Sequence, residues 1–552
     1  MTGSVLEPPV VETGERRETA YLASVTIPLG SLQPEVVLAS PPSGVRGFWQ
    51  SGSHWIAHAG SVAEIDTRDR EAGAGGRRAD SSAFDWVLAE ARRHYEMPWI
   101  LGETRRPRFH GGFAFDPTNR AGGSDEADFW EPFPAARFTL PAFEVEAGRE
   151  GAWLTLTRRY DSATPRDRAI DELRRRADRA RSALQGLERT GATPGPVPAA
   201  TAIEEPVRGG AWRRGIERIL GEIASGSVRK VVLARPLDVT LAEVPDSASV
   251  LAALRASNPL AHTVLLQFSR DRYLLGAAPE LIGALRGRRF RTMAVAGSIP
   301  RGADPESDEW LGRQLLGSRK NRVEHEIVVE DIVERLSGSG TSIGDVPEPT
   351  LLRLPRIQHL RSELEALVPA GTHVLDLVRA LHPTAAVCGH PRETARRILA
   401  EEEAVSRGWY AGPVGWFDDA GAGEFAPALR SAVGRGPLLR LYAGAGIVEG
   451  SRPRAEWDET RVKFQTMLQA LGVARVPCRR RTAAPSGPAR WPRSSRGTAC
   501  DTSPSGPARA RPRSSTRSRG MTASPFIRTW TSARPPSSRS ASGPRRASRP
   551  RS

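Results

Sequence analysis

The chain has 552 residues, enough to bury a large core, and a formal net charge of +16. Nineteen arginines against the lone acid Asp501 place +18 in residues 475–552, so residues 1–474 stand at −2, which excludes a body built to grip nucleic acid or an acidic membrane surface. No run approaches the ~18 uninterrupted apolar residues of a membrane span, and with Cys478 and Cys500 in the tail, the body's single Cys388 excludes a disulfide framework or a cysteine-rich zinc site.

The start of the chain, with Glu7, Glu12 and Glu15 and no apolar stretch, does not read as a secretory signal, and a lone body cysteine suits a reducing cytoplasm. Apolar patterning then predicts strands at 21–29, 55–65, 109–115, 137–140 and 151–158, with a helix at 81–95. A solvated Arg/Glu/Ala-rich helix is expected at 164–190, followed by a Pro/Gly-rich loop over 192–210 and a helix at 210–225. Further strands are predicted at 230–239, 263–269, 272–276, 281–286 and 289–295, and helices at 247–256, 311–336, 374–381, 394–403 and 457–471. Several of these strands follow one another across turns too short for a parallel crossover, so the sheets should be largely antiparallel and the fold class mixed α/β of the α+β type. Residues 474–552 repeat Ser-Gly-Pro-Ala-Arg at Ser486 and Ser505, lack apolar periodicity, and are expected to be disordered. Aromatics are too sparse there to stack on nucleic acid, so an appended segment without a selected role is preferred over a basic binding arm.

Four sets of residues could carry chemistry. Lys230 heads the apolar run Val231-Val232-Leu233, where a lysine is either an edge gatekeeper or, if desolvated, a base. Glu280 follows Pro279 between two apolar strands; it is an ordinary turn acid unless Leu274, Leu275, Leu281 and Ile282 enclose it and raise its pKa for use as a general acid. Glu324 falls on the stripe of Val323, Ile327, Val328, Ile332 and Leu336, and a carboxylate on a core face demands a cationic partner or a metal. Glu456, Glu459 and Lys463 share one helical face, as a solvated salt-bridge ladder or as part of a cation site. Glutamates from separate helices, without His or Cys, suit a hard cation such as magnesium.

These residues sit in a longer series. Lys-Val-Val-Leu-Ala-Arg at 230–235 is followed by Ala-Pro-Glu at 278–280, Ala-Gly-Ser at 296–298, Arg322-x-Glu324-His325, His359-Leu360 and Pro383-Thr384-x-Ala386-x-Cys388-Gly389-x-Pro391. Then come Gly408-x-Tyr410-x-Gly412, Leu429-Arg430, Tyr442-Ala443-Gly444-Ala445-Gly446 and Glu456-Trp457-x-Glu459-Thr460. The series resembles the chorismate-utilising enzymes, namely the isochorismate, salicylate, anthranilate and aminodeoxychorismate synthases. Phe109-His110-Gly111-Gly112-Phe113 fits the family's variable N-terminal half.

The resemblance implies layered antiparallel sheets flanked by helices, with residues 1–195 as the variable half and 209–473 as the chorismate-binding catalytic region. It implies an enzyme, expected to be monomeric, that takes chorismate as its small-molecule substrate; composition adds a cytoplasmic location and no membrane partner, with the basic tail the one feature that could meet nucleic acid. By the same resemblance Lys230 is the base for water adding at C2, and Glu280 protonates the hydroxyl leaving C4. Magnesium would sit on Glu324 and Glu459, with Glu456 acting through water. Arg430, Tyr442, Lys463 and the backbone around Gly297, Ser298 and Gly444 would bind the substrate carboxylates, with His359 orienting the ring. Ammonia-using members carry glutamine where this chain has Lys230, and Ala296 stands where aminodeoxychorismate synthases have a nucleophilic lysine. Ala386 replaces a threonine of the pyruvate-eliminating members, and Gly389-His390-Pro391 replaces their Gly-(Ala/Ile)-Pro-Lys. The implied activity is conversion of chorismate to isochorismate for menaquinone or siderophore synthesis. A salicylate synthase is the nearest rival, and a non-catalytic binder using the basic tail a more distant one.

Overall fold

The computed structural model describes residues 20–39, 44–69, 82–97, 99–101, 105–116 and 129–473; the expected disordered tail at 474–552 lies outside them. Six elements frame the rest: β1 (Lys230–Leu241), β2 (Arg289–Pro300), α1 (Arg319–Ser337), β3 (Ile357–Leu367), β4 (Leu438–Ile447) and α2 (Pro453–Ala470). Val231, Val232, Leu233, Leu237 and Val239 are all buried, so β1 is apolar on both faces and has to be covered on both sides. It lies inside a sheet of thirteen strands among the described residues, antiparallel to β4, with Ala234 opposite Gly444. At its start Lys230 pairs with His390.

A second sheet of ten strands holds β2 and β3, which pair antiparallel with a bulge between Ala296 and Ser298. The sheets are largely antiparallel as expected; Leu22–Ser24 against Trp99–Leu101 is a parallel exception. Both sheets draw strands from both halves of the chain. Arg46–Ser51 pairs with His262–Ser269, and Arg108–Phe113 pairs with Pro413–Asp418.

Three expected elements come out differently. The helix predicted at 311–336 is two, Pro305–Gly317 and Arg319–Ser337, because Ser318 leaves the helical region and its side chain accepts from the Asn321 amide as an N-cap. The strand predicted at 55–65 divides at Gly60, whose φ of 66° turns the chain. Its first part, His54–Ala59, lies in the larger sheet and its second, Ala63–Asp66, in the smaller. The loop predicted at 192–210 contains the strand Ala200–Glu204, which runs along the far end of β1.

α1 packs on β2 and β3 through Ile327, Val328, Ile332 and Leu336, each at most 1% exposed. Burying one such side chain contributes ~1.5–3 kcal/mol, and truncating Leu336 to alanine would cost ~2–5 kcal/mol. The same face carries Glu324, His325 and Asp331, so packing the apolar stripe forces these polar groups inward as well. No helix among the described residues is long and apolar enough to cross a membrane.

Candidate active site

Lys230 is fully buried, and its Nζ stands 3.2 Å from Glu324 Oε1 in an ion pair whose angle makes no hydrogen bond. The gatekeeper alternative for this lysine needs an exposed strand edge, and β1 has none there. The approach of strand to helix depends on Gly446 of β4. A Cβ at that position would strike Glu324 Oε1 and stand 3.0 Å from Lys230 Cε. Glu280 ends the loop after the strand Arg272–Ala278; it is 2% exposed, and its Oε1 has no hydrogen-bond partner among the described residues. Burial pushes its carboxyl up to about 8, against the pull of Lys230, so it carries a proton at neutral pH. A buried lysine and a buried protonated acid thus stand near one space.

That space is a cleft. Glu280, Gly297, Ser298, Glu324 and His359 line it, as do Ala386, Arg430, Tyr442, Gly444 and Lys463, while Lys230 lies behind Glu324 and Gly446. Every residue expected to bind substrate is therefore on its wall. Arg430 has φ of 49°, a left-handed conformation that a non-glycine residue holds only when its surroundings impose it. Its NH2 donates to His359 Nε2 at 3.0 Å, and burial brings the guanidinium down to about 10. With Nε2 accepting, His359 carries its proton on Nδ1, which faces Gly297 O at 3.2 Å and Ser298 Oγ at 3.0 Å. Burial and then the charge of Arg430 keep that imidazole neutral, its pKa well below the usual value. His359 is thus placed to hold Arg430. Gly297 at φ 74° makes the bulge that delivers this carbonyl.

The carboxylates expected to hold magnesium are divided between this cavity and a neighbouring one. Glu324 lines the first, whereas Glu456 and Glu459 line the second, which shares Ser298 with it. Each has its own lysine: Glu324 with Lys230, Glu459 with Lys463 at 2.7 Å, and Glu456 with Lys320 at 2.6 Å. Burial and the adjacent Glu459 raise the Glu456 carboxyl, while Lys463 holds Glu459 below its ordinary value despite burial. Burial works to lower the Lys320 ammonium, but Glu456, then Glu324 and Glu459, raise it above its ordinary value. Among the described residues no three His, Cys, Asp or Glu side chains are gathered tightly enough to hold a metal ion as they stand. The donor set nonetheless fits a hard dication: all oxygen, drawn from two helices, with an ammonium already attracted by all three carboxylates.

Three residues of the site carried no assigned role in the sequence. Tyr410 lines the cavity and stacks on Tyr442 with ring centroids 4.9 Å apart, the Tyr442 hydroxyl donating to Ser406 O at 2.7 Å. His325 is buried beside Lys230, its Nε2 bonded to Ser362 Oγ at 3.0 Å, and burial brings it down to about 4. Lys320 lies one turn before Glu324, a spacing that marks a shared helix face. Cys388 is buried and its thiol is pushed up to about 12 by burial, which makes it unreactive.

Comparison with known proteins agrees with this geometry. The family described as chorismate binding enzyme matches residues 10–472. The isochorismate synthase MenF of Bacillus subtilis is 30% identical over 459 residues, 83% of this chain and 94% of that protein. The salicylate biosynthesis isochorismate synthase of Pseudomonas aeruginosa is 34% identical over 384 residues, 68% of this chain and 77% of the relative. Among solved structures, the menaquinone-specific isochorismate synthase of Escherichia coli aligns with a TM-score of 0.64 at 28% identity, covering 83% of this chain and 96% of that one.

Proposed function

Because this chain belongs to the chorismate binding enzyme family, we propose that it is an isomerase that converts chorismate to isochorismate, with Lys230 and Glu280 as base and acid. The observation that carries the assignment is the pairing of a fully buried lysine with a buried carboxyl raised to about 8 at one cavity. Neutral Lys230 Nζ takes a proton from the water whose oxygen bonds to C2 and becomes the ammonium. Glu280 gives its proton to the oxygen leaving C4. One C–O bond forms and one breaks, so the product is an isomer and the reaction is reversible. Arg430, fixed by His359, offers its fork to a substrate carboxylate, with Lys463 and the Gly444 backbone completing that wall. Glu324 and Glu459 would hold magnesium, with Glu456 acting through water. When bound, the ion neutralises and orients the ring carboxylate.

Ala386 presents no hydroxyl to the cavity it lines, which favours release of isochorismate over elimination of pyruvate. The reading includes a monomeric cytoplasmic enzyme whose product feeds menaquinone or siderophore synthesis. The test is purified protein with chorismate and magnesium, products separated by chromatography and pyruvate followed through lactate dehydrogenase. Isochorismate without pyruvate supports the proposal; pyruvate appearing in step with chorismate loss would make the chain a salicylate synthase.

A further inference from the structure

The outer cavity sits beyond the carboxylates as seen from the substrate space. Glu456, Asp458 and Glu459 of α2 line one side, and Lys320 and Asn321 of α1 the other. Lys320 crosses between helices separated by 136 residues of sequence to reach Glu456 Oε1 at 2.6 Å. Its side chain is 31% exposed where that of Glu456 is 2%, so the lysine covers the carboxylate from the solvent side. The other lysine of α2 is held differently. Lys463 bonds both Glu459 and the Gly444 carbonyl, the latter at 2.8 Å, and is anchored to the backbone of β4. Lys320 hangs on a flexible stem from the carboxylate alone.

We propose that the Lys320 ammonium is the resident counter-cation of the metal-free site, and that a divalent cation entering through the outer cavity displaces it from Glu456. The inference rests on the reading of these glutamates as a magnesium site. A carboxylate as buried as Glu456 cannot stand ionised without a cation, and in the metal-free chain Lys320 supplies that charge. An arriving dication repels every ammonium on this carboxylate row; Lys230 is enclosed and Lys463 is tied to the Gly444 carbonyl, so Lys320 is the one that swings into the cavity. The outer cavity provides the room, and the lysine's exposure provides the route to water. Lys320 therefore competes with the metal and at the same time supports the empty fold. Removing it should push the two properties in opposite directions.

The experiment uses the full chain stripped of metal with chelator, without chorismate. Magnesium chloride is titrated calorimetrically into wild type, Lys320→Met and Lys320→Arg, and melting temperatures are taken in chelator and in saturating magnesium. Lys320→Met should bind magnesium about tenfold tighter, a gain of ~1.4 kcal/mol. It should melt below wild type in chelator and match it in magnesium, while Lys320→Arg keeps the wild-type affinity. Equal or weaker affinity in Lys320→Met overturns the proposal, as does a melting deficit that magnesium leaves unchanged, since a merely structural lysine gives that result. If Lys320→Met does not fold, a wild-type-like affinity in Lys320→Arg supports the proposal, and weaker binding there overturns it. No magnesium heat from either wild type or variants would overturn the metal site itself, and the lysine's role with it.

Discussion

Glu146, on a strand, and Glu280, in a loop between strands, are both buried glutamates, at 7% and 2% exposure, yet they are held in opposite states. Burial by itself raises both carboxyls. At Glu146, hydrogen bonds from His54 and Arg108 and the charges of Arg108 and Arg105 reverse the effect and hold the group far below the carboxylate range. His54, Arg105 and Arg108 all lie within 2.9 Å of its two oxygens, part of a polar bridge that joins the two sheets. At Glu280 only the nearby Lys230 opposes burial, Oε1 is left without a partner, and the carboxyl rises to about 8. A buried carboxylate saturated with donors is a rivet. One left short of donors keeps a proton that it can give away.

The largest effects should come from breaking the second arrangement. Lys230→Gln should lower kcat by about two to four orders of magnitude with little change in KM, because a base acting on water adds little to ground-state binding. Comparable losses in both would mark a structural lysine. Glu280→Gln should reduce kcat by about two to four orders as well, and remove a pH limb. In wild type the acid must be protonated, so kcat/KM should fall as pH rises through about 8. The same proton is linked to stability. The fold retains it where the unfolded chain, at an ordinary 4.5, has released it, so stability declines as pH rises from 4.5 to about 8. Thermal melts of Glu280→Gln should lack that decline.

Breaking the rivet should leave chemistry intact. Glu146→Gln should destabilise by ~1–3 kcal/mol in denaturant melts by weakening the charge-assisted hydrogen bonds from Arg105 and Arg108, of which Arg108 keeps Glu144, while kcat/KM of the folded fraction stays near wild type. Its lowered pKa gives the opposite pH sign: the stability it contributes is present above the unfolded value of 4.5 and lost as pH falls below it. Activity falling with stability would show that the inter-sheet bridge and the site are coupled. The smallest effect is expected at Ala386→Thr. A hydroxyl added to a packed wall costs ~1–3 kcal/mol, and a pyruvate assay on the active variant shows whether this position decides the product.

How much of this was legible in the sequence varies with the range of the contact. The stripe around Glu324 is a local pattern that placed its side chain on the core face, whereas the run after Lys230 left the lysine either at an exposed edge or in the interior. What the spacing left open, gatekeeper or base, ladder or cation site, depended on which strands and helices meet, and only the ordered motifs pointed further. Lys320 was missed because its partner Glu456 lies 136 residues away and leaves no period to read. Tyr410 stands within a motif, but its stack with Tyr442 joins two segments that pattern alone does not bring together. The division of 55–65 between sheets failed for a similar reason: the apolar alternation continues past Gly60 even though the chain changes sheets there.

The most direct test of the account is the fate of solvent oxygen. With chorismate and magnesium in oxygen-labelled water, wild type should yield isochorismate carrying label on the C2 hydroxyl and none on the oxygens of its enolpyruvyl group, and Lys230→Gln should yield almost none of it. Isochorismate without label at C2 would mean that water bound near Lys230 is not the nucleophile, and would contradict the roles given to Lys230 and Glu280.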